Sequence, residues 1–324
     1  MIPKQSDAAV IRRRSILAGL AMPALAWTGR VRAAETPVLR VGDQKGGAQA
    51  LMRAAGALDG VLFGVEWSQF SAAAPLLEAL NAGAIDCGFA GDAPTTFALA
   101  AGVPARIIAA TRSSGASTAI VVPDGSPIRT AADLKGRAIG TNRGSIGHSL
   151  VLAVAHAQGW SAGDVELANL LPSEARAALT RGAIEAWSSW GVYIAQARLA
   201  DRARIVVDGT DGLLTGLSYL LAREAAIEAR RAALLDFCKR LVAARRWAIG
   251  HRAEYAAALA TEIGVEIPVA RLMFETETPV PALIDDSVIR DQQTTIDRFT
   301  AAKLVRSNRA ARDLFDPSFN GALG

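Results

Sequence analysis

Three short turns of small or polar residues are the places where this chain could bind an anion. They are Gln44-Lys45-Gly46-Gly47, Gly91-Asp92-Ala93-Pro94 and Asn142-Arg143-Gly144-Ser145, and each separates a strand-like apolar run from a helix-like run. The first N–H groups of a helix have no partner within the helix and carry the positive end of its dipole. Each turn could therefore hold one anionic group, and the three together favour ligand binding.

Residues that could perform catalysis are few. The chain has three histidines, and His156 and His251 lie on helical segments without an evident partner. Phosphate-binding and dinucleotide-binding glycine motifs are missing, and nothing assembles a nucleophile, a base and an oxyanion site. We therefore predict that the protein is not an enzyme and has no catalytic residues and no cofactor. The sequence also lacks a Cys/His cluster with metal-ligand spacing, so we predict no metal site.

The middle turn lies in the stretch around which the chain is organised, Leu76–Thr96. Gly83 is expected to end a helix, because glycine adopts the left-handed conformation without steric cost. A short apolar strand, Ala84–Ala90, follows. Asp92 is expected to cap the next helix, and Pro94 has the backbone angle favoured in a first helical turn. This order places a helix N-terminus at the carboxyl end of a strand.

The same pattern occurs twice. Leu80-x-x-Gly83-Ala84-Ile85-Asp86 is matched by Leu179-x-x-Gly182-Ala183-Ile184-Glu185, which leads to Trp187 and Trp190. Two such units suggest two similar α/β lobes. Because ligands of open α/β sheets bind outside the carboxyl ends of the strands, two facing lobes would form a clamp. For Trp187 and Trp190, a place in the wall of the cleft and a place in the core both remain open.

Residues 1–34 have the features of a secretory leader. Arg13 and Arg14 precede an apolar stretch, Ile16–Trp27, and small residues follow at 33–34. The pattern predicts a signal peptide of twin-arginine type, with the general export route as the alternative. The apolar stretch is too short for a permanent membrane anchor. We therefore expect a soluble protein exported to the periplasm.

The leader also accounts for the basic character of the whole chain. The chain has 35 Lys and Arg against 31 Asp and Glu, but residues 1–33 contain six of the basic residues and one acidic residue. The remainder is close to neutral, so composition gives no reason to expect nucleic-acid binding. Cys87 and Cys238 both lie in apolar segments, and we expect buried free thiols.

About 290 residues follow the leader, which fits two domains. Alternating strand-like and helix-like segments predict an α/β fold with mostly parallel sheets. The turn-rich break at Asp124–Pro127 is interpreted as the entry to the second lobe. We predict one lobe from residues 35–122 plus 214–324 and the other from residues 123–213. The segments 225–250, 252–263, 268–274 and 286–303 are predicted to be helices.

These stretches resemble the aliphatic-sulfonate-binding proteins of ABC transporters, within the group that binds nitrate, taurine and sulfonates. The resemblance covers nearly all of the chain after the leader and is carried by Leu39–Gly47, Val65–Asp92, Pro94, Val121–Pro123, Ser126–Ile128, Ala132–Gly136, Gly144-Ser145, His148, Gly182–Trp187, Trp190 and Ile289–Ile296.

The resemblance implies a type II periplasmic binding protein fold, in which two α/β lobes are joined by two crossing strands and the ligand lies between them. It also implies a small anionic ligand, an inner-membrane ABC permease as partner and a monomer in solution. The residues that it assigns to the ligand are Gln44, Gly91, Asp92, Ala93, Pro94, Gly144, Ser145, His148, Trp187 and Trp190.

Several positions depart from the pattern of the group. Ala93 stands where the group often has threonine, and Ile146-Gly147 replace hydroxyl-bearing residues. Acidic residues at Glu275–Pro279 replace an arginine-rich stretch. The alternatives to an aliphatic sulfonate are therefore taurine, nitrate, or an aromatic sulfonate or carboxylate. A pyrimidine-precursor synthase of the same fold and a sensor lobe that acts on a signalling protein are the functional alternatives.

Overall fold

The computed structural model describes residues 37–161, 163–306 and 309–324. The predicted leader, including Arg13 and Arg14, lies outside the described residues. Within the described ranges no helix combines the length and the apolar character that crossing a membrane requires.

Strands and helices alternate through most of the chain. The strands are β1 (Val38–Gln44), β2 (Gly64–Phe70), β3 (Cys87–Gly91), β4 (Ala105–Arg112), β5 (Thr118–Val122), β6 (Ala138–Thr141), β7 (Glu166–Asn169), β8 (Ala186–Trp190), β9 (Arg204–Asp208), β10 (Leu217–Arg223) and β11 (Val280–Ala282). The helices are α1 (Ala48–Ala54), α2 (Ala73–Ala82), α3 (Asp92–Ala100), α4 (Ile146–Ala157), α5 (Pro172–Thr180), α6 (Gly191–Leu199), α7 (Glu224–Gly250), α8 (Arg252–Ile263), α9 (Ile267–Thr276) and α10 (Asp286–Ala301).

The described strands form two separate mixed sheets. The first has the order β11-β4-β10-β3-β1-β2, and the second has the order β7-β6-β8-β5-β9. β1 runs parallel to β2 and β3, whereas β10 is inserted antiparallel between β3 and β4. In the second sheet β6 runs parallel to β7 and β8, whereas β5 is antiparallel to β8 and β9. The first sheet therefore has two strands that run against the others, β10 inside it and β11 at its edge, whereas the second sheet has one, β5.

The division between the sheets comes earlier in the chain than the predicted lobe boundary. β5 lies within the predicted first lobe, but its hydrogen-bond partners are β8 and β9 of the second sheet. A strand belongs to the sheet that satisfies its backbone groups, and this pairing is invisible in the order of the sequence. The two lobes as moving bodies remain a prediction.

Two short segments carry the chain from one sheet to the other, and they contact each other directly. Residues 113–117 lead from β4 to β5, and residues 209–216 lead from β9 to β10. The Ser113 N–H donates to the Gly216 carbonyl at 2.9 Å, and the Gly209 N–H donates to the Thr118 carbonyl at 2.9 Å. Gly216 has φ of +69°, and a Cβ there would lie 2.0 Å from the Ser113 carbonyl oxygen. The close approach of these crossing segments therefore requires glycine.

The repeated sequence unit folds in the same way in both halves. Gly83 and Gly182 follow α2 and α5 with φ of +76° and +70°. After each glycine an acid binds the backbone and an arginine of the neighbouring strand: Asp86 accepts from the Arg40 N–H at 2.9 Å, and Glu185 accepts from the Ala138 N–H at 3.1 Å. The repeat is therefore one structural unit used twice.

The hydrophobic cores lie where helices cover the sheets. The core beside β1 and α7 contains both Cys87 and Cys238, which are buried and free, as expected from their apolar surroundings. Burial raises the pKa of the Cys238 thiol to about 12, so that it stays protonated. These cysteines therefore act as small core residues.

Several elements end at residues other than those predicted. α1 stops at Ala54, shortly before the left-handed Gly56. β10 begins at Leu217, because the left-handed Gly216 and the residues before it belong to a crossing segment. The predicted C-terminal helices are present with ends shifted by at most two residues, and only the helix at 252–263 has the predicted bounds.

Candidate functional site

A cavity of 150 Å³ lies at the carboxyl ends of strands from both sheets. We call it the cleft cavity. From the first sheet it is lined by Gln44, Gly91 and Pro94, and residues of both crossing segments form part of its wall. From the second sheet it is lined by Gly144, Ser145 and Trp190. The structure thus brings six of the ten predicted ligand residues together.

The start of α4 supplies backbone donors to this cavity. Ser145 is the N-cap, and its Oγ accepts from the His148 N–H at 3.2 Å. The N–H groups of Arg143, Gly144 and Ser145 are all used, for Asn169, His148 and Asn142 respectively. The N–H groups of Ile146 and Gly147 make no hydrogen bond with any described residue. The free donors therefore come after Ser145, and Ile146 itself lines the cavity.

The close packing of α4 on the second sheet requires glycine at position 147. A Cβ at this position would lie 2.8 Å from the Ser188 carbonyl oxygen and 2.9 Å from Thr141 Oγ1. The Ser188 hydroxyl also donates to the Gly147 carbonyl at 2.8 Å. The departure from the hydroxyl-bearing pattern at Gly147 therefore lets the first turn of α4 approach β8 closely.

His148 lies behind the cleft cavity and does not line it. Its Nδ1 accepts from the Gly144 N–H at 3.0 Å, so that the ring holds the turn in place. Burial, with a smaller contribution from Arg143, lowers the pKa of His148 to about 4. The ring is therefore neutral at pH 7 with its proton on Nε2, which has no partner among the described residues. It packs edge-on against Phe299 at 5.8 Å between ring centroids.

The start of α3 is built differently from the prediction. Gly91 is the N-cap, and Asp92 is the first residue of the helix. The Asp92 carboxylate is buried and accepts from Thr215 Oγ1 at 2.6 Å and Thr295 Oγ1 at 2.7 Å. It also accepts the Ala93 N–H at 2.7 Å, so this donor, which the turn was expected to offer to a ligand, is occupied. Asp92 and Ala93 therefore anchor α3, and Gly91 and Pro94 line the cavity.

The two tryptophans have different surroundings. Trp187 is 1% exposed and belongs to the core beneath the second sheet. Trp190 lines the cleft cavity and packs edge-on against Tyr193 at 5.8 Å. Tyr193 donates its hydroxyl to the Ser71 carbonyl at 2.9 Å, which joins α6 to the loop before α2. Of the two places that the sequence left open, Trp187 therefore occupies the core and Trp190 the wall of the cleft cavity.

Glu277 is a residue of the site that the sequence did not assign. Its carboxylate lines the cleft cavity and accepts from the Gly115 N–H at 2.7 Å and the Ser117 N–H at 3.2 Å. The Ser117 hydroxyl donates to it as well. The acidic departure at residues 275–279 was the available signal. Glu277 ties α9 to a crossing segment and places a negative charge beside the ligand space.

A second cavity of 220 Å³ is lined mainly by the first sheet and its helices, and Ser117 and Gly191 also form part of its wall. We call it the inner chamber. Five residues line both cavities, so that the two spaces are neighbours: Gln44, Gly91, Ser117, Ser218 and Glu277. Gln44 stands at this junction and donates its side-chain amide to the Phe89 carbonyl at 3.0 Å. The described residues include no group of His, Cys, Asp and Glu arranged to hold a metal ion.

Comparison with known proteins identifies the family of this chain. Residues 65–251 match the family model described as NMT1/THI5 like. The chain belongs to the NMT1/THI5-like family. It is 34% identical over 242 residues to a protein of Escherichia coli strain K12 that is named for binding aliphatic sulfonates, with 74% of this chain and 76% of the relative covered.

Two solved structures share the fold closely. The alkanesulfonate-binding protein SsuA from Xanthomonas axonopodis pv. citri, bound to MOPS, is 31% identical with a TM-score of 0.81, and the match covers 88% of this chain and 99% of that one. The periplasmic aliphatic sulphonate binding protein SsuA from Escherichia coli is 31% identical with a TM-score of 0.78, and the match covers 86% and 92% of the two chains. The predicted resemblance and the fold class are confirmed.

Proposed function

We propose that this protein is a periplasmic solute-binding protein that delivers a small organic anion, an aliphatic sulfonate, to an ABC importer. The observation that carries the proposal is the start of α4 beside the cleft cavity. The first two N–H groups of this helix, those of Ile146 and Gly147, are free. Such a helix start attracts an anion without a mobile cation. The names of the family members support a sulfonate as that anion.

The protein binds its ligand without chemical change. Catalysis would need a base that can reach the ligand, but His148 is behind the cavity wall with its Nδ1 occupied by Gly144. The carboxylates nearest the cavity are also engaged: Asp92 holds two threonine hydroxyls, and Glu277 holds the crossing segment. These contacts favour a receptor over the synthase alternative.

Location and partner follow from the same proposal. The leader exports the chain to the periplasm, where it acts as a monomer and docks on the inner-membrane permease. The first sheet with its helices and the second sheet with its helices act as the two lobes of a clamp that closes on the ligand. The paired crossing segments are the hinge, because no other described stretch of backbone connects the two sheets.

A ligand panel tests the proposal. The exported protein is titrated by calorimetry with alkanesulfonates of increasing length, taurine, nitrate, sulfate, benzenesulfonate and the matching carboxylates. We expect the alkanesulfonates to bind more tightly than nitrate and than carboxylates of equal length. If only nitrate or only an aromatic carboxylate binds, that compound is the ligand and the proposal of a sulfonate is wrong. Conversion of any compound to a product, followed by mass spectrometry, would contradict the receptor assignment.

A further inference from the structure

The inner chamber contains a charged group that the cleft cavity does not use. Arg245 of α7 lines the chamber and is half-buried. It makes no hydrogen bond or ion pair with any described residue, and its Nε is buried without a partner. Burial lowers the pKa of Arg245. A buried donor without a partner is costly, and native proteins rarely retain one.

A second donor stands beside Arg245. The Tyr255 hydroxyl lines the chamber, and burial raises its pKa to about 12, so it keeps its proton at pH 7. The hydroxyl makes no hydrogen bond with a described residue, and its oxygen is not one of the fully buried atoms that lack a partner. Around these two donors the wall is mainly apolar, with Leu51, Leu241 and Phe274 among its residues. The chamber thus has an apolar body and donors at one place.

Two carboxylates also line the chamber, and neither pairs with Arg245. Asp43 is 1% exposed and uses Oδ2 to accept from the Gln49 N–H at 2.8 Å, which caps α1. Glu277 lies at the junction with the cleft cavity, where Gly115 and Ser117 occupy its carboxylate. Asp43 Oδ1 has no hydrogen-bond partner, and the charge of Asp43 acts on Arg245 without forming an ion pair with it. The hydrogen-bond donors of the guanidinium are therefore left for an acceptor that enters the chamber.

We propose that the inner chamber is a second subsite of the same ligand and that Arg245 binds a carboxylate at the ligand's far end. This inference rests on the proposed function: the sulfonate lies at the start of α4, the linking carbon chain passes Gln44, and the carboxylate meets Arg245 and Tyr255. The ligand class is then a sulfonate that carries a second acidic group. A guanidinium and a phenolic hydroxyl are suited to a carboxylate, because both donate hydrogen bonds.

The test compares two series of sulfonates by calorimetry. In one series the far end of the alkyl chain is a methyl group, and in the other it is a carboxylate, at matched chain lengths. We expect the carboxylate to improve the affinity at one chain length by about tenfold to a hundredfold, the range for a charge-assisted hydrogen bond. Arg245→Gln should abolish this preference, and Arg246→Gln should preserve it, because Arg246 is exposed.

Thermal unfolding without ligand separates this role from a structural one. Removing a half-buried charge that has no partner should leave the melting temperature of Arg245→Gln unchanged or raise it. A lower melting temperature together with an unchanged carboxylate preference would overturn the inference, as would the absence of a preference at every chain length. If plain alkanesulfonates still bind in that case, the proposed function stands. If neither series binds, both proposals fail.

Discussion

The free N–H of Ile146 can be removed without removing its helix. Proline has no N–H, and at the first helical position its fixed φ is favourable. The residue before a proline must be extended, and Ser145 already has φ of −78° and ψ of 171°. The N–H has no partner among the residues that the structure describes, so its loss leaves none of their acceptors unsatisfied. We therefore expect Ile146→Pro to fold and to bind the sulfonate more weakly.

The matched control is Ile146→Ala, which removes the side chain and keeps the N–H. A hydrogen bond to a charged group contributes about 1.5–3 kcal/mol, so the proline variant should bind about tenfold to a hundredfold more weakly than the alanine variant. Ser145→Ala is less informative, because the Ser145 hydroxyl also caps α4 and its removal lowers stability as well.

The measurement is calorimetric titration of both variants with the alkanesulfonate that the wild type binds most tightly, after thermal unfolding shows that their stabilities agree. Equal dissociation constants for the two variants would refute the assignment of the anion to the start of α4. If Arg143→Ala abolished binding at the same time, the head group would be held by that exposed side chain, which also lines the cavity.

Three further outcomes are expected. Gly216→Ala should destabilise the protein more than Gly212→Ala, because both glycines have positive φ but only Gly216 lies against the other crossing segment; equal losses in urea unfolding would contradict this. Burial raises the pKa of Asp43 to about 6, so the unfolding free energy of the wild type relative to Asp43→Asn should fall by about 3 kcal/mol as the pH rises from about 3 to 7. A flat difference would show that Asp43 has an ordinary pKa. Changing Arg13 and Arg14 together to lysine should block export of a reporter fused to residues 1–36, whereas continued export would indicate the general route.

The local units of this protein could be predicted because their signals are local. The left-handed glycines at 83 and 182 end helices by their own backbone freedom, and the apolar strands after them are buried as their composition indicates. The resemblance rested on the same kind of short stretch. The family and the fold class could therefore be predicted from the sequence alone.

Which backbone N–H groups of the site remain free could not be predicted from the sequence. Ala93 and Ile146 both stand in the first turn of a helix at the carboxyl end of a strand, and each follows a residue whose side chain can accept a hydrogen bond. The distinction arises because the Asp92 carboxylate, fixed by Thr215 and Thr295 from distant parts of the chain, takes up the Ala93 N–H. Competition for a hydrogen-bond donor is decided by which acceptors folding brings near it.

Composition and local pattern thus specified the class of the chain and the glycines that follow α2 and α5. The membership of β5 in the second sheet, the place of His148 behind the wall, and the charges of Glu277 and Arg245 around the ligand space depended on the tertiary structure. Backbone angles respond to neighbours in sequence. Sheet pairing, burial and unpartnered charge depend on residues that are far apart in the chain and meet only when it folds.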